Sequence, residues 1–288
     1  MANKYEFRSI SLPSRSHSSM VIVEEKLRKF KTWEATCTSF SISMGLSLLE
    51  DLYVGLDNVL NMASTQHVIT QHKGEKCVEE VLDGSMRILD ICGITRDTLL
   101  QIKENVQALH SCLRRRKGES NIEVSVGQYN CFIKKVKKNV KKLMKSLRQM
   151  DSKFGLSSLL DFDHHFSCVI RVLREVILMN LSIFQLILSF LTMPSTKSNA
   201  TKWFLLGKIV HKRVITSEDN LENVNELECV EEVLNTLLKE GSNGEKMHAT
   251  NEKLEALENA IESLENGLER VFRVMIKSRS SLLNIISK

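Results

Sequence analysis

Residues able to do chemistry are thinly spread along this chain. The run "DFDHH" (161–165) gathers Asp161, Asp163, His164 and His165 within five positions. Neighbouring side chains diverge on a helix, so chelation there would need ligands from elsewhere. A helix N-cap made by Asp161 or Asp163 is the reading the spacing supports. His67 and His72 stand five apart, off the step of three or four that puts two ligands on one helical face. The seven cysteines (37, 77, 92, 112, 131, 168 and 229) are odd in number, dispersed and never in a CxxC pair. They read as reduced thiols, not as a disulfide framework or a zinc site. There is no HExxH, GxSxG, Walker or Rossmann glycine pattern. These observations predict a protein that is not an enzyme and carries no metal or cofactor. An enzyme of unrecognised class, acting on a small signalling metabolite, is the alternative; it would need a polar pocket inside the fold.

The densest charge lies in "CFIKKVKKNVKKLMKSLRQM" (131–150), where Lys134, Lys135, Lys137, Lys138, Lys141, Lys142, Lys145 and Arg148 occur with no acid. Phe132, Val136, Val140, Leu143, Leu147 and Met150 form the opposite stripe, so the segment is a basic amphipathic helix. Two readings follow. One is a bundle helix with a solvated basic face, balanced by the acidic run Glu218, Asp219, Glu222, Glu226, Glu228, Glu231 and Glu232. The other is a contact surface for an anionic membrane or another acidic partner. Nucleic acid is disfavoured, since no aromatic residue is interleaved among the lysines. "RRRKG" (114–118) ends a long helix with cations and a glycine, which complements the helix dipole.

The elements that must position these groups are helices. Two prolines and twelve glycines in 288 residues, with leucine, isoleucine and valine recurring throughout, predict an all-α bundle of long antiparallel helices. Residues 1–19 lack apolar periodicity and are expected to form a flexible, disordered arm. Residues 20–288 then form a single helical domain, with a polar linker at about 194–201 and a loop at about 240–246. Val21, Val23, Leu27, Phe30 and Trp33 mark a first helix, and Leu46, Leu49, Leu52, Val54, Leu56, Val59 and Leu60 a second. A long helix over about 75–116 is interrupted by Gly84 and Gly93, candidates for kinks or close contacts. Others are expected over about 120–151, 162–192, a Trp203-containing segment, 222–239 and 248–286.

Two of these carry distinctive patterns. Residues 176–193 run for eighteen positions without a charge, about 27 Å of helix, a borderline length for a membrane span. Asn180, Ser182, Gln185 and Ser189 punctuate it, so a buried central helix is the favoured reading. In the last helix, Leu254, Leu257, Ile261, Leu264, Leu268, Val271, Met275, Leu282 and Ile285 alternate steps of three and four, with Ser278 in the one broken slot. This coiled-coil-like seam suits a bundle interior, self-association through 254–285 or a partner helix.

Several segments together are similar to the BYPASS-related family of plant proteins, a domain family of unknown function: "RSISLPSRSH" (8–17), "KTWEA" (31–35), "GLSLLEDLY" (45–53), "LDGSMRILDICG" (82–93), "LRRRKG" (113–118) and "LENAIESLENGLERVFRVMIKSRSSLLNI" (257–285). The chain departs from the family at Ser18, where proline often follows the motif's histidine, and at Phe7, which replaces a common histidine. The resemblance implies a plant-specific protein associated with root and shoot development. It also implies kinship with a branch that restrains a root-derived signal acting on the shoot. It carries over no catalytic residue and no cofactor, and it leaves the protein partner unnamed.

The arm motif Arg8, Ser11, Leu12, Pro13, Ser14 and Arg15 belongs to that resemblance. Pro13 biases Leu12 toward extended backbone, suiting a docking strand. Arg8 lies three residues before Ser11, a spacing basophilic kinases read. The serine and arginine content also fits a plastid transit segment, but a removed address has little reason to keep a defined motif. With no apolar signal core near the N-terminus, the expected location is intracellular and cytoplasmic, with membrane association open.

Overall fold

Apolar residues at steps of three and four build eight helices among the described residues, with no strand. The structure, a computed structural model, describes residues 18–36, 42–115, 119–154, 158–192, 225–241 and 244–288. The helices are α1 (Ser18–Thr36), α2 (Ile42–Leu60), α3 (Ala63–Gln71), α4 (Lys76–Arg114), α5 (Glu119–Lys153), α6 (His164–Phe190), α7 (Glu226–Glu240) and α8 (Gly244–Ile286). The arm motif at residues 8–15, the 194–201 linker, the Trp203 segment and Glu218, Asp219 and Glu222 lie outside the described residues. So do Cys37 and the "RKG" of the 113–118 motif.

The fold is all-α, as the composition requires. Its axis is α6, in which no residue from Val172 to Phe190 is exposed. Helices α1 to α5 pack around it. Asp163 caps its first turn, accepting from the backbone N–H of His165 (2.9 Å) and Phe166 (3.0 Å), so the aspartate of "DFDHH" is spent on helix initiation. Of the eighteen-residue window that is long and apolar enough to cross a membrane, 67% is buried inside the protein. An all-round apolar helix belongs at the centre of a bundle.

Two charged or polar groups are carried into that centre with partners. Arg174 Nη2 donates to Glu80 Oε2 of α4 at 2.9 Å. Asn180 Nδ2 donates to Tyr53 Oη of α2 at 2.9 Å and to the Val176 carbonyl at 2.7 Å.

Chain direction follows from paired residues. Helices α1 and α2 run antiparallel: Val23 lies against Gly55, Lys26 Nζ reaches the Asp51 carbonyl at 2.9 Å, and Trp33 lies against Gly45. Helices α4 and α8 are also antiparallel: Arg96 pairs with Glu269, Lys103 with Glu265 and His110 with Glu258. Helices α2 and α8 run parallel in constant register, with Ser43 to Ser263 at 3.0 Å, Glu50 to Arg270 at 2.9 Å and Asp57 to Lys277 at 2.9 Å. Each step is seven residues on both helices.

Thus α8 lays its apolar seam between α2 and α4, with a ladder of polar pairs down each side. Leu254, Leu257, Ile261, Leu268 and Val271 are fully buried, and Ser278 joins them. The α2 ladder keeps seven-residue spacing from Ser263 to Lys277, about 21 Å of α8, and the α4 ladder lies alongside it from Glu258 to Glu269, about 17 Å.

Several positions differ from the periodicity reading. On α1 the buried stripe is Met20, Val23, Leu27 and Phe30, while Val21 is 45% exposed. On α2 Tyr53 turns inward and Val54 outward. The β-branched residue lost each contest because the stripe at steps of three and four runs through its neighbour. A Cβ at Gly84 would sit 2.6 Å from Phe154 Cε2, so this glycine marks a close contact. At Gly93 nothing lies within 4 Å, and it packs against nothing. Helix α7 stops at Gly241, whose φ of +76° suits a residue without Cβ.

Candidate functional site

The basic face of α5 is built on a buried stripe. Ile122, Val126, Tyr129, Ile133, Val136, Val140, Met144, Leu147 and Met150 are buried. Of the residues expected on that stripe, Phe132 and Leu143 are only half-buried, because Ile133 and Met144 hold the central positions. Turning at 100° per residue, the cations cover an arc of about 160° centred roughly opposite that stripe. Lys134, Lys135, Lys138, Lys141, Lys142, Lys145 and Arg148 are exposed. Lys137 is not part of the open face. It is half-buried at the edge and donates to Glu231 Oε1 of α7 at 2.5 Å. The acidic helix therefore engages the basic one at a single described ion pair, and six lysines on α5 have no ion-pair partner among the described residues.

From Phe132 to Met150 no apolar or aromatic side chain is exposed beside these lysines. The segment carries eight cations and no acid, while the whole chain's excess is only five. The rest of the molecule is therefore net negative by three, and the positive charge is concentrated on one face.

A second polar region lies inside the bundle. Arg279 Nη1 donates to the Leu82 carbonyl at 2.6 Å and to Ser85 Oγ at 2.5 Å. With Tyr53, Ser278 and Val176, Arg279 and Ser85 border a cavity of about 30 Å³, room for a water molecule or two. Burial pushes the Tyr53 hydroxyl well above its ordinary pKa, and Asn180 Oδ1 is buried without a protein partner. Periodicity did not reveal this cluster. Its one signal was the interruption of two apolar runs by Asn180 and Ser278.

The remaining candidates do not converge. His72 stacks on Phe166 at 4.3 Å and points Nδ1 at the Val68 carbonyl, 2.9 Å away. His67 lies on α3, and His72 directly follows that helix. No group of three or more His, Cys, Asp or Glu that could hold a metal ion occurs among the described residues. Cys77 and Cys92 are buried thiols, Cys92 being pushed by burial up to about 12, whereas Cys131 is exposed on α5. No two of the described cysteines are bonded.

A family model for Protein BPS1 matches residues 45–285. The chain belongs to the BPS1 family. That match runs from within α2 to α8, and takes in the α8 seam, the basic face of α5 and both polar ladders apart from Ser43. The BPS1-family region begins at Gly45; the arm motif and "KTWEA" precede it. No curated protein and no solved structure matches the chain.

Proposed function

We propose that this BPS1-family chain is a non-enzymatic interaction protein acting in plant root and shoot development. The observation that carries the reading is the closed centre of the bundle. Helix α6 fills the axis with no exposed residue over Val172–Phe190, and the cavity beside it is water-sized. Room for a metabolite begins at roughly ten times that volume. The groups left for recognition are then the exposed ones, of which the lysine face is the most concentrated. Family membership supplies the developmental setting.

Proximity labelling from the tagged protein in root tissue, followed by fractionation, tests the proposal. A reproducible set of protein neighbours is expected, together with altered root and shoot growth in plants lacking the protein. Turnover of a metabolite by the purified protein, or normal growth of those plants with no enriched neighbours, would refute it.

A further inference from the structure

We infer that the lysine face of α5 docks the protein flat on an anionic lipid bilayer. The inference stands apart from the developmental reading and needs only the geometry of this helix. Lys134, Lys138, Lys141 and Lys145 form a straight outward row, flanked on one side by Lys135 and Lys142. From Lys134 to Arg148 the row is about 21 Å long, at 1.5 Å per residue. A ridge of this kind meets a plane, not a pocket.

The chemistry of the face selects among anionic surfaces. A protein partner would need a buried apolar or aromatic anchor at the centre of the contact. Here no apolar or aromatic side chain between Phe132 and Met150 is exposed. Sequence-tolerant binding of nucleic acid draws on aromatic stacking and on the planar fork of arginine. The open face presents six lysines, each a hydrated point charge on a flexible stem, and one arginine. Clusters of four to eight such cations on an amphipathic helix match a leaflet carrying anionic headgroups. Because the rest of the chain is net negative, the same leaflet repels the other surfaces and orients the molecule with α5 down.

The test is co-sedimentation of the full chain with vesicles of phosphatidylcholine alone, or with about 30% phosphatidylserine, at salt from roughly 50 to 500 mM. Three proteins are compared: wild type, Lys138→Glu/Lys141→Glu/Lys145→Glu, and a control with the same charge change placed elsewhere, Lys73→Glu/Lys239→Glu/Lys253→Glu. Binding of wild type to the anionic vesicles only is expected, with release at high salt. The face variant should lose about tenfold or more in partition, and the control no more than about threefold. Circular dichroism establishes that each variant is folded. If the glutamate triple does not fold, Lys138→Gln/Lys141→Gln/Lys145→Gln replaces it and should weaken binding in the same direction. Equal binding to neutral vesicles overturns the inference, as does an unaffected face variant or a control as weak as the face variant. Binding to heparin or an oligonucleotide without binding to vesicles also overturns it, reassigning the face to a soluble polyanion.

Discussion

Replacing Gly45 by alanine and Gly93 by alanine should change stability in opposite directions, although both glycines sit inside helices. Alanine gains about 0.5–1 kcal/mol over glycine in a helix interior, because the glycine backbone loses more freedom on folding. At Gly93 nothing lies within 4 Å of the new Cβ, so that gain is kept. At Gly45 the Cβ would overlap the Trp33 ring of α1 and Ile183 Cδ1 of α6. Relief requires moving Trp33, which packs edge-on against Phe30 with centroids 5.1 Å apart. Overpacking of this kind costs about 1–3 kcal/mol, and a disturbed aromatic pair about 0.5–1.5 more. Subtracting the propensity gain leaves Gly45→Ala less stable by about 0.5–4 kcal/mol. For a protein of this size each kcal/mol is about 2–4 °C in Tm. Thermal melts followed by circular dichroism should show Gly45→Ala falling by about 1–16 °C and Gly93→Ala rising by about 1–4 °C. If Gly45→Ala melts at or above wild type, the close α1–α2–α6 approach is wrong. If Gly93→Ala melts lower, that glycine packs against something.

Three further outcomes follow from particular contacts. Lys137→Glu should destabilise by about 1–3 kcal/mol in urea, since it sets a second carboxylate against Glu231 in a half-buried contact. Lys141→Glu, on the open face, should change stability by less than about 0.5 kcal/mol. Glu80→Leu should destabilise by more than Arg174→Met, because it removes a carboxylate partner from the Arg174 guanidinium, only 10% exposed, beside the core. Equal losses in urea would mean that the arginine is not desolvated. In the native protein at about pH 8, iodoacetamide should modify Cys131 while sparing Cys92, whose thiol burial pushes up to about 12. Mass spectrometry finding Cys92 labelled first would contradict the burial.

Much of the fold was legible because helix periodicity is a local property. The α6 run, with polar residues spaced along it, read as a buried helix, and the structure closes five helices around it. The seam of α8 read as an apolar stripe, and every residue named on it is buried. Legibility failed where two neighbouring residues competed for one stripe, as at Met20 and Val21 or at Tyr53 and Val54. Position along a helix fixes an angle to a few tens of degrees; the placement of the neighbouring helices decides which side of the stripe is inside. The candidate contact face was visible as a run of lysines, but its edge was not. Lys137 leaves the open face because Glu231, ninety-four residues away, reaches it.

The sequence by itself determined that this chain is helical, where most helices begin and end, and that its positive charge is concentrated on one element. Those properties depend on backbone propensity, capping and residue spacing within one or two turns. Only the tertiary structure decided that α2 runs parallel to α8 while α4 runs antiparallel to it. It also matched two ladders of polar pairs across some 150 to 220 residues, and made Gly45 and Gly84 tight but Gly93 open. These depend on distances between segments remote in the chain, where the free energy lies in shape and charge complementarity that no local pattern encodes.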